Sequence, residues 1–288
     1  MADPVSSVVH KSRSASGSAS GSASGSANRS YFPVTRSGTY GFLAALPLLL
    51  LYEVMILVAN RANGIDVRVG AEVWVKQLFQ TLGPSWMFVL GAAVCAVGVA
   101  IIMSERSRKL PIRPRWFGLL VLESALYAVV IAGIVSRLVT VIFAAAVASS
   151  GDPVFAGVLA SAGLPPLIPA ATPDLSFGLF TNLALSIGAG LYEELVFRVI
   201  LVGGLFWLLR LVFRGDVPAY VIAALVGALA FSWVHYLGPL GDPFEWPSFT
   251  FRFLFGLALN VVFLLRGFGV AAWTHALYDV FVVTRLFG

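Results

Sequence analysis

The chain has 288 residues, of which 59% are hydrophobic and 11% charged, and its formal net charge is +5. Soluble domains carry about 25% charged residues, and a charge at the bilayer centre costs about 2.5–3.5 kcal/mol. This composition therefore excludes an ordinary water-soluble globule and points to an integral membrane protein. The positive excess lies in the N-terminal region and in the loop from Arg106 to Arg115, where it reads as anchoring to anionic lipid and not as a nucleic-acid surface.

Residues 1–38 read as a tail, and Ser14 to Ala27 is a Ser-Ala-Gly repeat with nothing to bury, expected to be disordered. The tail has no apolar h-region and is not a cleaved signal peptide. Apolar runs follow, long enough for the roughly 20 helical residues that a span requires. The first two are predicted at 40–59 and 86–103. Cys95, the only cysteine, lies in the second as a packing residue, which excludes an intrachain disulfide and a cysteine-only metal site. A basic loop follows with Arg106, Arg108, Lys109, Arg113 and Arg115. The run at 116–147 is too long for one upright helix. Residues 149–176 form a Pro-rich loop with Asp152 and Asp174.

The run at 177–213 is also over-long, with Gly188 and Gly190 as expected break points. The last runs are 217–236, 249–265 and 268–287. Trp86 and Trp116 sit near span ends, where interfacial aromatics belong. The expected fold is an all-α polytopic membrane protein with about seven spans, within a range of about six to eight. It divides into the tail (1–38), N-terminal transmembrane helices (39–176) and a C-terminal helical core (177–288). The positive-inside rule places the N-terminus in the cytoplasm, and seven spans then put the C-terminus outside. Arg greatly outnumbers Lys, which suggests a prokaryotic source and hence the inner membrane.

Ionisable residues inside apolar runs mark function, and the last third of the chain concentrates them. Glu194 and Arg198 are four apart and share a helix face, so they can pair, while Glu193 is turned about 100° away and stays free. Alone, this cluster reads equally well as acids at an interfacial helix start. Ala223, Gly227, Phe231 and His235 recur every four residues, a small-residue face ending in a histidine. Alone, His235 reads as a histidine bonded to a loop carbonyl. His275 and Asp279 are again four apart, so the carboxylate either orients the imidazole or faces the same cavity. Three helices carrying costly polar groups are explained together by one water-accessible cavity. Antiparallel helices bring Glu193 and His235 to the same side.

The ordered set Glu193-Glu194-x-x-x-Arg198, Phe231-x-x-x-His235 and His275-x-x-x-Asp279 resembles the CAAX protease and bacteriocin-processing family, which includes type II CAAX prenyl endopeptidases. The resemblance covers about 177–287. It implies a catalytic cavity inside the membrane and peptide-bond hydrolysis of a membrane-anchored peptide or protein substrate. By position, Glu193 would activate water with His235 assisting. His275 and Asp279 would stabilise the oxyanion or position the carbonyl, and Glu194, Arg198 and Phe231 would support the site. Asp279 stands where some members have Asn, and an ionised Asp cannot donate a hydrogen bond. It would have to be protonated or act by orienting His275.

The resemblance allows a glutamate-dependent or a zinc-dependent mechanism. The chain lacks the His-Glu-x-x-His motif of zincins, so the reading here is glutamate-dependent, with no metal ligands assigned. Two other functions compete: a proton- or ion-coupled transporter using Glu53, Glu123 and Arg137, and a silent immunity or scaffold protein of the same fold. The charge count places His235 near the outer face, whereas an enzyme processing CAAX tails acts on the cytosolic side.

Overall fold

The computed structural model describes residues 30–64, 66–81, 83–150, 177–238 and 241–286. Among these residues the chain is helical and has no strand, as expected where lipid offers the backbone no hydrogen-bond partners. Helices α1 (Tyr31–Thr35), α2 (Gly38–Asn63), α3 (Gly70–Gln80) and α4 (Trp86–Glu105) come first. After a short 3-10 turn comes α5 (Pro114–Ser150), then α6 (Leu179–Glu194). Helix α6 continues directly into a π-helical segment (Leu195–Val202) and α7 (Gly203–Leu209), followed by α8 (Asp216–Val234), α9 (Trp246–Arg266) and α10 (Phe268–Val283).

Helices α2, α4, α5, α8 and α9 are long and apolar enough to cross a membrane, and α10 is a shorter apolar helix. With the continuous run of α6, the π segment and α7, each of the seven predicted apolar runs coincides with helix. Leu50, Val54, Leu122, Leu126 and Val221 point outward with large exposed side chains, as a lipid-facing surface requires.

Three expectations are corrected. Residues 1–38 are not tail throughout, because Tyr31–Thr35 form α1. Arg266 ties this helix down, donating to the Phe32 carbonyl at 3.1 Å and to the Thr35 hydroxyl at 2.9 Å. Gly188 and Gly190 do not break their helix, which runs through both. They are places of close approach. A Cβ on Gly190 would lie 2.4 Å from the Ala276 nitrogen, and one on Gly188 would lie 2.4 Å from the Tyr52 ring. Small residues of this kind let helix backbones pack closely in a membrane. Third, α3 lies where no element was expected. The Ser-Ala-Gly repeat and residues 151–176 of the Pro-rich loop lie outside the described residues.

These contacts build the core that carries the site. Tyr52 and Ile56 of α2, Ile187 and Leu191 of α6, and Ala272 and Ala276 of α10 form one buried cluster. At the opposite end of α2, the Glu105 carboxylate accepts from the Thr39 N–H at 2.8 Å and the Thr39 hydroxyl at 2.7 Å. It thereby satisfies a free N–H at the helix start.

Candidate active site

Helix α6 ends on Tyr192-Glu193-Glu194 and passes at once into the π segment. Such segments occur often at functional sites, since the wider turn re-aims side chains. Glu194 and Arg198 are fully buried and form the expected ion pair at 3.1 Å. Arg198 also donates to the Gly256 carbonyl at 3.4 Å and lies 4.4 Å from the Phe231 ring centroid. A buried guanidinium needs this surrounding of anion, carbonyl and π-face.

Phe231 touches Arg198 and both histidines. Its ring meets His235 at 5.0 Å and His275 at 5.6 Å, edge to face. Its carbonyl is 2.7 Å from His235 Nδ1. A carbonyl only accepts, so Nδ1 carries the proton, and the Nε2 of a neutral ring offers a lone pair. The His235 bond is therefore to its own helix and not to a loop. The small face of α8 packs as expected, since a Cβ on Gly227 would lie 2.3 Å from the Val202 side chain.

His275 Nδ1 lies 2.8 Å from Glu194 Oε1, and its Nε2 lies 3.5 Å from Asp279 Oδ2. The carboxylate that orients this imidazole is thus Glu194, from another helix, while Asp279 faces the cavity beside Nε2. Glu193 Oε2 is 3.8 Å from His235 Nε2 and 4.0 Å from His275 Nε2. This oxygen is buried and has no hydrogen-bond partner among the described residues. The structure therefore gathers Glu193, His235, His275 and Asp279 on one cavity of about 800 Å³, with Glu194 and Arg198 directly behind them.

Arg252 and Tyr278 line the same cavity and were missed in the sequence. Arg252 is a cation inside the predicted run 249–265, which by itself marks a functional position. It pairs with Asp242 and donates to Ser248 Oγ at 3.0 Å. The Asp242 N–H in turn donates to the His235 carbonyl at 2.9 Å. Helix α3 also lines the cavity, through Gly70, Val73 and Trp74.

The three residues suggested for a transport path lie apart. Glu53 faces Arg68 at 3.4 Å and Lys76 at 3.7 Å. Glu123 grips Arg266 at 2.6 Å, and Arg137 is exposed on α5. Among the described residues, no group of three His, Cys, Asp or Glu side chains is arranged to hold a metal ion.

A helical membrane protein with a carboxylate and two imidazoles facing one cavity carries a functional site there, because ionisable groups inside a membrane-spanning fold are costly. Residues 175–281 match the family model described as Type II CAAX prenyl endopeptidase Rce1-like. The matched stretch is the part of the chain that carries the ordered motifs, and the matched family is the one those motifs resemble. No curated protein and no solved structure matches the chain.

Proposed function

We propose that the protein is an intramembrane endopeptidase that hydrolyses peptide bonds of membrane-associated peptides or protein tails, with water activated by Glu193. The observation that carries this reading is the unpartnered, buried Glu193 oxygen 3.8 Å from His235 Nε2. That separation is too long for a direct hydrogen bond and suits one bridging water. Both neighbours accept, so the water donates one O–H to each and turns its lone pair toward the substrate carbonyl.

In the forward step the water oxygen bonds to the carbonyl carbon, the C=O pair moves onto oxygen, and Glu193 takes the water proton. Collapse then breaks the C–N bond. The proton passes from Glu193, with His235 assisting, to the departing nitrogen, leaving a new carboxyl and a new amine. His275 and Asp279 face the carbonyl side. Glu194, Arg198 and Phe231 hold the histidines in register, as positioned groups must be held for such a step.

The sequence reading of an inner-membrane enzyme with a cytoplasmic N-terminus belongs to this proposal, and so does the absence of a metal from the mechanism. Activity lost to a chelator and restored by zinc would replace the Glu193 mechanism with a zinc mechanism. The test is a comparison of protein termini across the membrane proteome in cells expressing wild type or Glu193→Gln at matched levels. Termini present only with wild type support proteolysis and show which membrane face is used. Matching proteomes with both proteins folded would favour a silent binding role.

A further inference from the structure

The proposed reaction develops a negative charge on the carbonyl oxygen, and on that side the only groups assigned so far are His275, through Nε2, and Asp279. His275 commits its Nδ1 to Glu194 at 2.8 Å. Asp279, when ionised, only accepts. The site thus needs a preorganised donor aimed at the oxyanion.

Tyr278 lies three positions after His275, so the two are neighbours on the surface of α10. It lines the same cavity as Glu193, His235 and Arg252. Its ring is fixed from behind, 4.3 Å from the Phe255 ring and 5.9 Å from the Phe251 ring. The chain has eight tyrosines. Tyr31, Tyr127, Tyr52 and Tyr192 each donate to a glutamate. Tyr40 and Tyr220 donate to backbone carbonyls, and Tyr236 donates to Ser248. The Tyr278 hydroxyl alone finds no hydrogen-bond partner among the described residues. Tyr278 is part-buried on the cavity wall, which leaves its hydroxyl open to an acceptor on a bound substrate.

We propose that the Tyr278 hydroxyl donates a hydrogen bond to the oxyanion of the tetrahedral intermediate, an assignment that rests on the endopeptidase reading. The proton stays on the phenol. As water adds and the C=O pair moves to oxygen, the bond shortens, and as the C–N bond breaks and the pair returns, it relaxes.

The test uses the full chain in lipid nanodiscs with a quenched-fluorescence peptide library, half of it carrying an S-farnesyl cysteine. Tyr278→Phe removes one oxygen and no packing. The expected result is a fall in kcat of about 10²-fold with KM changed by less than about twofold, and an unaltered unfolding temperature. In an Asp279→Asn background, whose amide supplies a donor, the same change should cost less than about tenfold. Wild type active and Tyr278→Phe turning over within about twofold of it overturns the proposal alone, as does a loss confined to KM. Wild type that cleaves no peptide overturns the endopeptidase reading, and the Tyr278 assignment with it.

Discussion

Glu194 holds His275 Nδ1 at 2.8 Å across the α6–α10 interface, with the two residues 81 positions apart in sequence. The same Oε1 atom lies 3.1 Å from Arg198, so one fully buried carboxylate serves a cation and an imidazole at once. Its neighbour Glu193 differs: it lines the cavity, and the basic groups nearest its Oε2 are the His235 and His275 rings at 3.8 and 4.0 Å. Consecutive residues on one helix thus divide into a structural acid and a working one.

That division predicts opposite effects of two equal substitutions. Glu194→Gln leaves Arg198 a buried charge without its counter-ion, and breaking such a pair costs about 3–5 kcal/mol. Glu193→Gln removes a buried carboxylate that makes no direct salt bridge to an Arg or Lys among the described residues, and should leave stability unchanged or raised. Denaturant unfolding in detergent measures both, and equal destabilisation by the two variants would contradict the division.

The Glu194–Arg198 pair should also be strongly coupled. Arg198→Met alone strands Glu194 beside His275, whereas Glu194→Gln with Arg198→Met removes both charges together. The double variant should be less destabilised than the sum of the singles by about 1–3 kcal/mol. Additive losses in a double-mutant cycle would show that the two charges act independently.

Gly190 sets the register of α6 against α10, three residues before Glu193. Gly190→Val drives side-chain atoms into the Ala276 backbone, and overpacking of this kind costs about 1–3 kcal/mol while shifting Glu193 relative to His275. Gly204 has open space at the same point, so Gly204→Ala should be neutral or stabilising by up to about 1 kcal/mol. Thermal unfolding of the two variants, with cleavage rates per folded molecule, checks both expectations. Full activity in Gly190→Val would remove the packing argument.

The polar cluster around Glu123 and Arg266 is structural in this account. Arg266→Met loses contacts to Glu123, Thr35 and the Phe32 carbonyl. The N-terminal segment should then be cut faster by added protease, with the cleavage rate per folded molecule unchanged. A collapse of function in a folded Glu123→Gln variant, by contrast, would favour the transport reading.

Much of the site was legible in the sequence because helix periodicity is local. Glu194 with Arg198 and His275 with Asp279 sit one turn apart, and a 3.6-residue repeat suffices to place them on shared faces. The meeting of Glu193 with His235 followed from antiparallel helices. The grip of Glu194 on His275 did not, because it depends on how far α6 slides against α10, which Gly190 and Ala276 decide through tertiary contact. The π segment was hidden for a similar reason, since Leu195–Val202 reads as an ordinary apolar helix. Gly188 and Gly190 were misread because a glycine that permits close packing looks, in sequence, like one that breaks a helix. Helix α3 left a usable signal: Glu72 with Arg68 and Lys76 at four-residue spacing.

The most direct test of the central claim follows peptide cleavage by purified protein in nanodiscs in ¹⁸O-labelled water, for wild type and Glu193→Gln. The account predicts that wild type places ¹⁸O in the new C-terminal carboxyl group with chelator present, and that folded Glu193→Gln yields no cleaved product. Undiminished cleavage by Glu193→Gln, or no cleavage by wild type, would contradict it.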